Sequence, residues 1–459
     1  MTISGLKYCI PAALAFVAAI PANALTGGVS SGPLTDVNAP DSAKLCASEV
    51  ARAKLVKDSK VIFINGGKEV CVDRDSVESL LARFYVDQFR NSQDPEAPYF
   101  TFMSKDANLA MGIGGVIKMR GWFDWNGMID GASFNPYLIT MPKTPETMKS
   151  LGASVAGTTI FFNIMGRHTP LGDYRAYIEG GFNGYANSGF KLKKAWFQIG
   201  DFTAGLATTT FSDPAAQPEV LDGAGASGKL DKSNVLVRYL HTWRDRWTVA
   251  GSVEFPSSQI ADNDPYTSDV RDYVPDFALL GQYQWNRGMS HVRLAGLLRT
   301  IPYRDLEKNT NHNVIGWGAQ LSSVVRAGRI VTLYAVAGYG HGISSYTCDL
   351  SIGKYDLLAD PSLRGRMYAP ATLSLTAGAK VQILPGLSST LCLATLRHLP
   401  KDTPASDTYK YGQYLAINAV YDFSPRLQLG VEYLAGKRKN CGGAEANVNR
   451  AEAVMTFSF

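Results

Sequence analysis

From residue 107 to the C-terminus the chain is a succession of segments in which apolar and polar residues alternate with period two. The last segment is the clearest: Ala451, Ala453, Met455, Phe457 and Phe459 fall on one phase, Arg450, Glu452, Val454, Thr456 and Ser458 on the other. A strand with one face on lipid and one on a polar lumen produces this pattern, because successive side chains point to opposite faces. About sixteen such segments can be placed. They lie near 109–125, 155–168, 173–183, 189–199, 202–212, 232–243, 247–256, 274–285, 290–301, 312–325, 330–343, 370–384, 387–399, 409–423, 426–437 and 446–459. Short turns, as at Gly200-Asp201 and Pro385-Gly386, alternate with long loops, as at 126–154, 213–231 and 344–369. Short periplasmic turns and long extracellular loops are the rule for outer-membrane barrels. The predicted fold is therefore an all-β transmembrane barrel of about sixteen antiparallel strands, preceded by a small α+β periplasmic region. Phe202, Trp243, Trp247, Trp285, Tyr421, Phe423, Phe457 and Phe459 lie on the apolar phase beside the short turns, as an interfacial girdle requires.

The first residues carry an address. Lys7 precedes an apolar run from Ile10 to Ile20, and Ala22-Asn23-Ala24 is an A-x-A cleavage pattern. The run is too short to span a membrane, so 1–24 reads as a secretory signal peptide. Residues 25–106 are not barrel-like. A Gly/Ser/Pro-rich linker leads to a short helix capped at Asp41 or Ser42. A strand at Val61-Ile62-Phe63-Ile64 turns through Asn65-Gly66 into Val70-Cys71-Val72. Asp75 and Glu78 resemble a capping box opening a second helix. The barrel is assigned to 107–459.

Composition agrees with export. The chain has 44 Gly and a formal charge of +5, which loses Lys7 with the signal; this is too small to imply nucleic acid. No CxxC or His-Cys cluster points to a metal, and no cofactor is expected. Cys46 and Cys71 can form a disulfide between helix and hairpin, or lie as two buried thiols. Cys348 and Cys441 sit in loops on one side and can form a second bond, while Cys392 lies in a strand and is expected to stay free.

The polar phase is rich in cations: Lys118, Arg120, Arg167, Arg175, Lys194, Arg238, Arg293, Arg299, Arg397 and Arg450, against Glu179, Glu254 and Glu432. Basic rings favour anions in a constricted pore, and Arg binds carboxylates bidentately. Ordinary structural ion pairing would use the same residues. Catalysis finds little support: His341 with Ser344 nearby lacks the third group of a triad, and Gly112-Ile113-Gly114-Gly115 sits in a strand. The expected class is a passive channel rather than an enzyme. The competing class is a structural or adhesive barrel whose loops bind a partner.

The segment from Phe84-Tyr85-Val86-Asp87-Gln88-Phe89-Arg90 through Asp94-Pro95-Glu96-Ala97-Pro98-Tyr99-Phe100 to Asn108-Leu109-Ala110-Met111-Gly112 resembles the start of DcaP-like outer-membrane transporters, particularly versions from Bacteroidetes. The resemblance implies a homotrimeric porin in outer-membrane lipid that passes small anionic solutes, dicarboxylates among them. A terminal aromatic such as Phe459 is what barrel-assembly machinery commonly reads. The better-known members carry a coiled coil at the N-terminus, whereas this chain has no sustained heptads there. In trimeric porins the loop after the fifth strand folds inward. Here that loop would set Asp213, Glu219 and Asp222 against the basic wall as a transverse field.

Overall fold

The computed structural model describes residues 60–63, 100–104, 109–169, 172–182, 189–261, 264–401 and 404–459; for 60–63, 103, 167–169 and 287 it describes the backbone alone. Sixteen antiparallel strands close into a barrel. They are β1 (Leu109–Trp125), β2 in two pieces (Lys149–Ser154 and Thr159–Thr169), β3 (Gly172–Phe182), β4 (Phe190–Ile199) and β5 (Phe202–Thr208). Then come β6 (Ser233–Trp243), β7 (Trp247–Glu254), β8 (Asp276–Trp285), β9 (Ser290–Asp305), β10 (Thr310–Ala327) and β11 (Val331–His341). The last five are β12 (Ala371–Leu384), β13 (Leu387–Leu399), β14 (Tyr409–Asp422), β15 (Leu427–Asn440) and β16 (Glu445–Ser458). All sixteen sequence segments are found. β2 is longer than expected because Lys149–Ser154 continues it beyond a break at Gly157, whose φ is +95°. β5 is shorter, ending at Thr208 where the chain turns inward.

Closure removes the sheet edge, the one arrangement besides a helix that satisfies every backbone group in lipid. β16 pairs with β1 from Ser458↔Val116 to Asn449↔Trp125, and Gly115 and Phe459 exchange backbone hydrogen bonds at 3.0 Å. Below that seam the start of β1 pairs with the short strand Phe100–Met103, which pairs in parallel with Lys60–Phe63. This second short strand meets the expectation at 61–64. The expected helices, the 65–72 hairpin, Cys46 and Cys71 lie outside the described residues.

Outward side chains are apolar and exposed: Leu279, Leu294, Ile315 and Leu321 among them. Phe202, Trp243, Trp247, Phe423 and Phe457 are exposed beside the short turns, as the girdle pattern requires. A water-soluble surface would not carry such a belt; a bilayer requires it.

The packed core lies inside the barrel. Ile129, Phe134 and Ile139 of loop 126–148 pack with Ala226 of loop 209–232 on Ala394, Ala416 and Leu434 of β13, β14 and β15. Phe211 and Leu230 pack with Ile343 and Tyr346 of loop 342–370 on Ala250, Ala278 and Ala295. Glycines on the inward wall make room for these knobs. A Cβ at Gly430 would lie 2.5 Å from Leu221 Cδ1, and one at Gly378 would lie 2.6 Å from Pro218 Cγ. Three long loops thus fold into the lumen instead of standing outside it.

Candidate functional site: a constriction built by inward loops

Loop 209–232 follows β5, and its carboxylates and backbone are pinned to the wall at successive points. At its start Glu254 on β7 accepts from Thr209 Oγ1 at 2.7 Å and from the Thr210 amide at 3.0 Å. Asp213 is fully buried; it accepts from Ser322 Oγ at 2.5 Å, meets His291 Nε2 at 2.8 Å and lies 3.5 Å from Arg293. Burial pushes the Asp213 carboxyl up, but Arg293, with His291 and Ser322, holds it well below the usual carboxylate range. Glu219 meets Lys380 Nζ at 2.6 Å and accepts from the Tyr334 hydroxyl at 3.1 Å. The amides of Leu221 and Asp222 both donate to the Glu432 carboxylate at 2.9 Å. Asp222 accepts from the Phe134 amide at 2.8 Å, which joins this loop to loop 126–148. Burial raises the Asp222 carboxyl, and the Phe134 amide, then Arg120 at 3.9 Å, only partly offset that.

The other two loops carry their own anchors. Arg450 on β16 holds Asp124 on β1 bidentately at 2.6 and 3.0 Å, and its guanidinium also donates to the carbonyls of Ile129, Gly131 and Ala132. Arg120 donates to Ala132 O and Leu221 O at 3.0 and 2.7 Å, tying two loops with one side chain. Arg299 on β9 lies 3.3 Å from Asp276 and 3.2 Å from Asp356 of loop 342–370. Lys232 sits 4.3 Å over the Tyr346 ring; burial, then Arg299, lowers its ammonium to about 8.

The inward register holds for Lys118, Arg120, Arg175, Lys194, Arg238, Arg293, Arg299 and Arg450. Their surroundings divide them. Arg120, Arg293, Arg299 and Arg450 are buried loop anchors, so the expected open ring of cations is corrected for these four. Arg175 donates to Asn163 Oδ1 at 3.2 Å and Arg238 to Thr208 O at 3.3 Å. Lys194 lies 3.9 Å from Glu179, and Lys118 is half-buried. The side chain of Arg167 lies outside the described residues. Arg397 is a correction: it faces outward and is exposed. The inward phase of β13 is Ser388, Thr390, Cys392, Ala394, Leu396 and His398, all buried, and apolar residues enter it at Ala394 and Leu396 where loops cover the wall. The transverse field is corrected too. Asp213 and Asp222 are buried against their partners, and only the Glu219 side chain, 60% exposed, remains open to water. Cys348 and Cys441 are free thiols rather than a pair, and Cys392 is free and buried.

Sequence reasoning missed Asp349 and Asp356, which act from loop 342–370. It also missed Ser322, Tyr334 and Lys380 as loop receivers. A polar inward residue opposite an apolar-rich long loop was the one signal for them. Among the described residues no cluster of His, Cys, Asp and Glu could hold a metal ion.

The sequence matches the family model of the DcaP outer membrane protein over residues 102–459. The fold is similar to the crystal structure of the outer membrane channel DcaP of Acinetobacter baumannii, with a TM-score of 0.66 and 19% identity over 77% of this chain and 98% of that one. The anion-selective porin from Comamonas acidovorans gives 0.49 and 12%, over 76% of this chain and 100% of that chain. OmpT of Vibrio cholerae gives 0.46 and 8%, over 77% and 98%. None of the curated proteins matches the sequence. The family match spans every barrel strand, and the barrel has the closed wall and apolar belt of an outer-membrane protein; the chain belongs to the DcaP outer membrane protein family.

Proposed function

We propose that this outer-membrane barrel is a porin for small hydrophilic solutes, with a preference for anions such as carboxylates. The observation that carries the preference is the inward phase of β1, β3, β4 and β6. It carries Lys118 and Lys194, each part-exposed, and the buried Arg175 and Arg238, with Glu179 and the Arg450-paired Asp124 as carboxylates on the same phase. The cations that anchor loops are matched by loop or wall carboxylates, so they contribute little to the lumenal field. Charge at this wall acts on a solute inside a low-dielectric tube, where it is screened least. The reversal potential of the reconstituted protein under a salt gradient tests the reading. Anion preference is expected; cation preference, or no conductance from folded protein, overturns it.

The working form in this reading is a homotrimer exported by way of a signal peptide removed after Ala24, with residues 25–106 in the periplasm. Ala335 and Ala337 on β11 and Ala377 on β12 are outward and exposed, a small-residue face that lets barrels approach closely. Mass measurement in a mild detergent checks the assembly, and a solely monomeric species counts against it.

A further inference from the structure

Loops 209–232 and 342–370 run side by side inside the barrel. Leu230 and Thr347 form an antiparallel bridge, the Cys348 amide donates to Lys229 O at 3.0 Å, and the Asp231 amide donates to Tyr346 O at 3.1 Å. At the end of this ladder Asp349 reaches across. Its Oδ2 accepts from Ser227 Oγ at 2.5 Å and from the Gly228 amide at 3.3 Å. Gly228 is in turn held to the wall, since Ser374 Oγ on β12 donates to its carbonyl at 2.6 Å. Asp349 is 2% exposed, and among the described residues no cation pairs with it. Lys229 is next to Gly228 but pairs with Asp231 at 2.7 Å.

This differs from the anchors at Asp213 and Asp356. Asp213 and Asp356 each have an arginine within hydrogen-bonding or ion-pair range. Asp349 has two neutral donors and a neighbouring acid. A buried carboxylate without a counter-ion is stabilised by taking a proton. We propose that Asp349 is a positioning residue for the constriction. Its protonated carboxyl ties loop 342–370 to loop 209–232 and so fixes the pore width; ionisation leaves a charge buried without a counter-ion, a cost that outweighs its two accepted hydrogen bonds, drives the carboxylate out to water and releases the tie. This rests on the porin reading above, which gives the constriction its function.

The groups facing Asp349 set the direction. Loop 209–232 brings Asp222 and the Lys229–Asp231 pair, its own loop brings Cys348, and β14 brings Tyr409, beside which lies Arg438 of β15. Burial raises the Asp349 carboxyl from 3.8 to about 7; Ser227 and Gly228 oppose this, and Asp222 adds to it. A group raised in the tied state binds its proton more tightly there than when released. The tie is therefore strongest in acid and weakens as pH rises from about 4 through about 7. Asp349→Asn keeps the shape and both contacts without the titration. Ser227→Ala removes a contact at every pH.

The test records single-channel conductance and current noise between pH 5 and pH 9, and in parallel the rate at which a neutral maleimide labels Cys348, located by peptide mapping. In the wild type, conductance and noise are expected to rise across this range. In Asp349→Asn they stay near the acid value, and in Ser227→Ala they are raised even in acid. At pH 8, above the window in which the tie weakens, Cys348 is expected to label faster in the wild type than in Asp349→Asn by about tenfold or more. Ionised Asp349 would by charge alone slow the thiol, so faster labelling reports opening. An identical pH response in wild type and Asp349→Asn, with equal labelling, overturns the proposal. Absence of conductance from folded wild type overturns the porin reading instead, and the labelling ratio still decides whether Asp349 ties the loops.

Discussion

Arg450 is the place where one substitution should test the interior architecture most sharply. Its side chain is fully buried, as is that of Asp124, and the two are cross-strand partners on the closing seam between β16 and β1. The guanidinium makes two bonds to the carboxylate and reaches three carbonyls of loop 126–148. Arg450→Met removes the cation and leaves Asp124 uncompensated among apolar groups. Breaking one side of a buried pair costs about 3–5 kcal/mol, roughly two to four decades in the unfolding equilibrium. The double variant Asp124→Leu/Arg450→Met should recover most of that, since replacing both partners by apolar groups is often neutral. Recovery will stop short of complete, because Asp124 also accepts from the Ile129 amide at 3.2 Å. Urea unfolding in lipid vesicles, followed by tryptophan fluorescence, measures all three proteins. Trp122 is a local reporter, with the Arg450 guanidinium 5.1 Å from its ring. A loss below about 1 kcal/mol in Arg450→Met would refute the reasoning, as would a double variant no more stable than the single.

Three further outcomes follow from the anchors and thiols. Gly430→Leu should push Leu221 off the wall and raise single-channel conductance while the heat-modifiable gel shift of a folded barrel is kept; unchanged conductance would mean the loop does not narrow the pore. Asp213 is held below the usual carboxylate range, so its stabilisation is present above about pH 4, the unfolded value, and is lost as pH falls through the lower folded value. The stability advantage of wild type over Asp213→Asn, measured by urea unfolding, should therefore persist at pH 5 and shrink in stronger acid. For the cysteines, Cys441 should label in the folded protein and Cys392 only on unfolding, while non-reducing peptide mapping should find Cys46 joined to Cys71; a bond from Cys46 to Cys348 or Cys441 would contradict the assigned sides of the membrane.

The wall was legible in the sequence because its signal is local. Period-two alternation, turn residues and aromatic ends each act within a few residues of the backbone they shape, and all sixteen strands could be placed from them. The interior was not legible, because its partners are distant. Nothing near Asp213 announces His291 or Ser322, and nothing near Arg450 announces Asp124. A polar inward residue looks the same whether it faces water or a buried loop carboxylate, so the register of Arg293 and Arg299 was read correctly and their surroundings were not. Arg397 shows the opposite failure. Apolar loops cover β13, so Leu396 and His398 take the inside and the arginine goes out. The rule that polar residues line the lumen holds only where the lumen holds water.

The seam has a consequence for biogenesis. Asp124 lies in the first barrel strand to leave the ribosome, and the residue that neutralises it follows 326 positions later, in the last. Until then the β1 edge and its acid must stay hydrated or be shielded by another protein. Contacts so distant in the chain form slowly, because the loop-closure entropy precedes any reward. Closure of the barrel therefore waits on the final strand. A truncated or stalled chain lacking β16 would present an unpaired edge and an orphaned carboxylate together, both of which a quality-control protease can recognise.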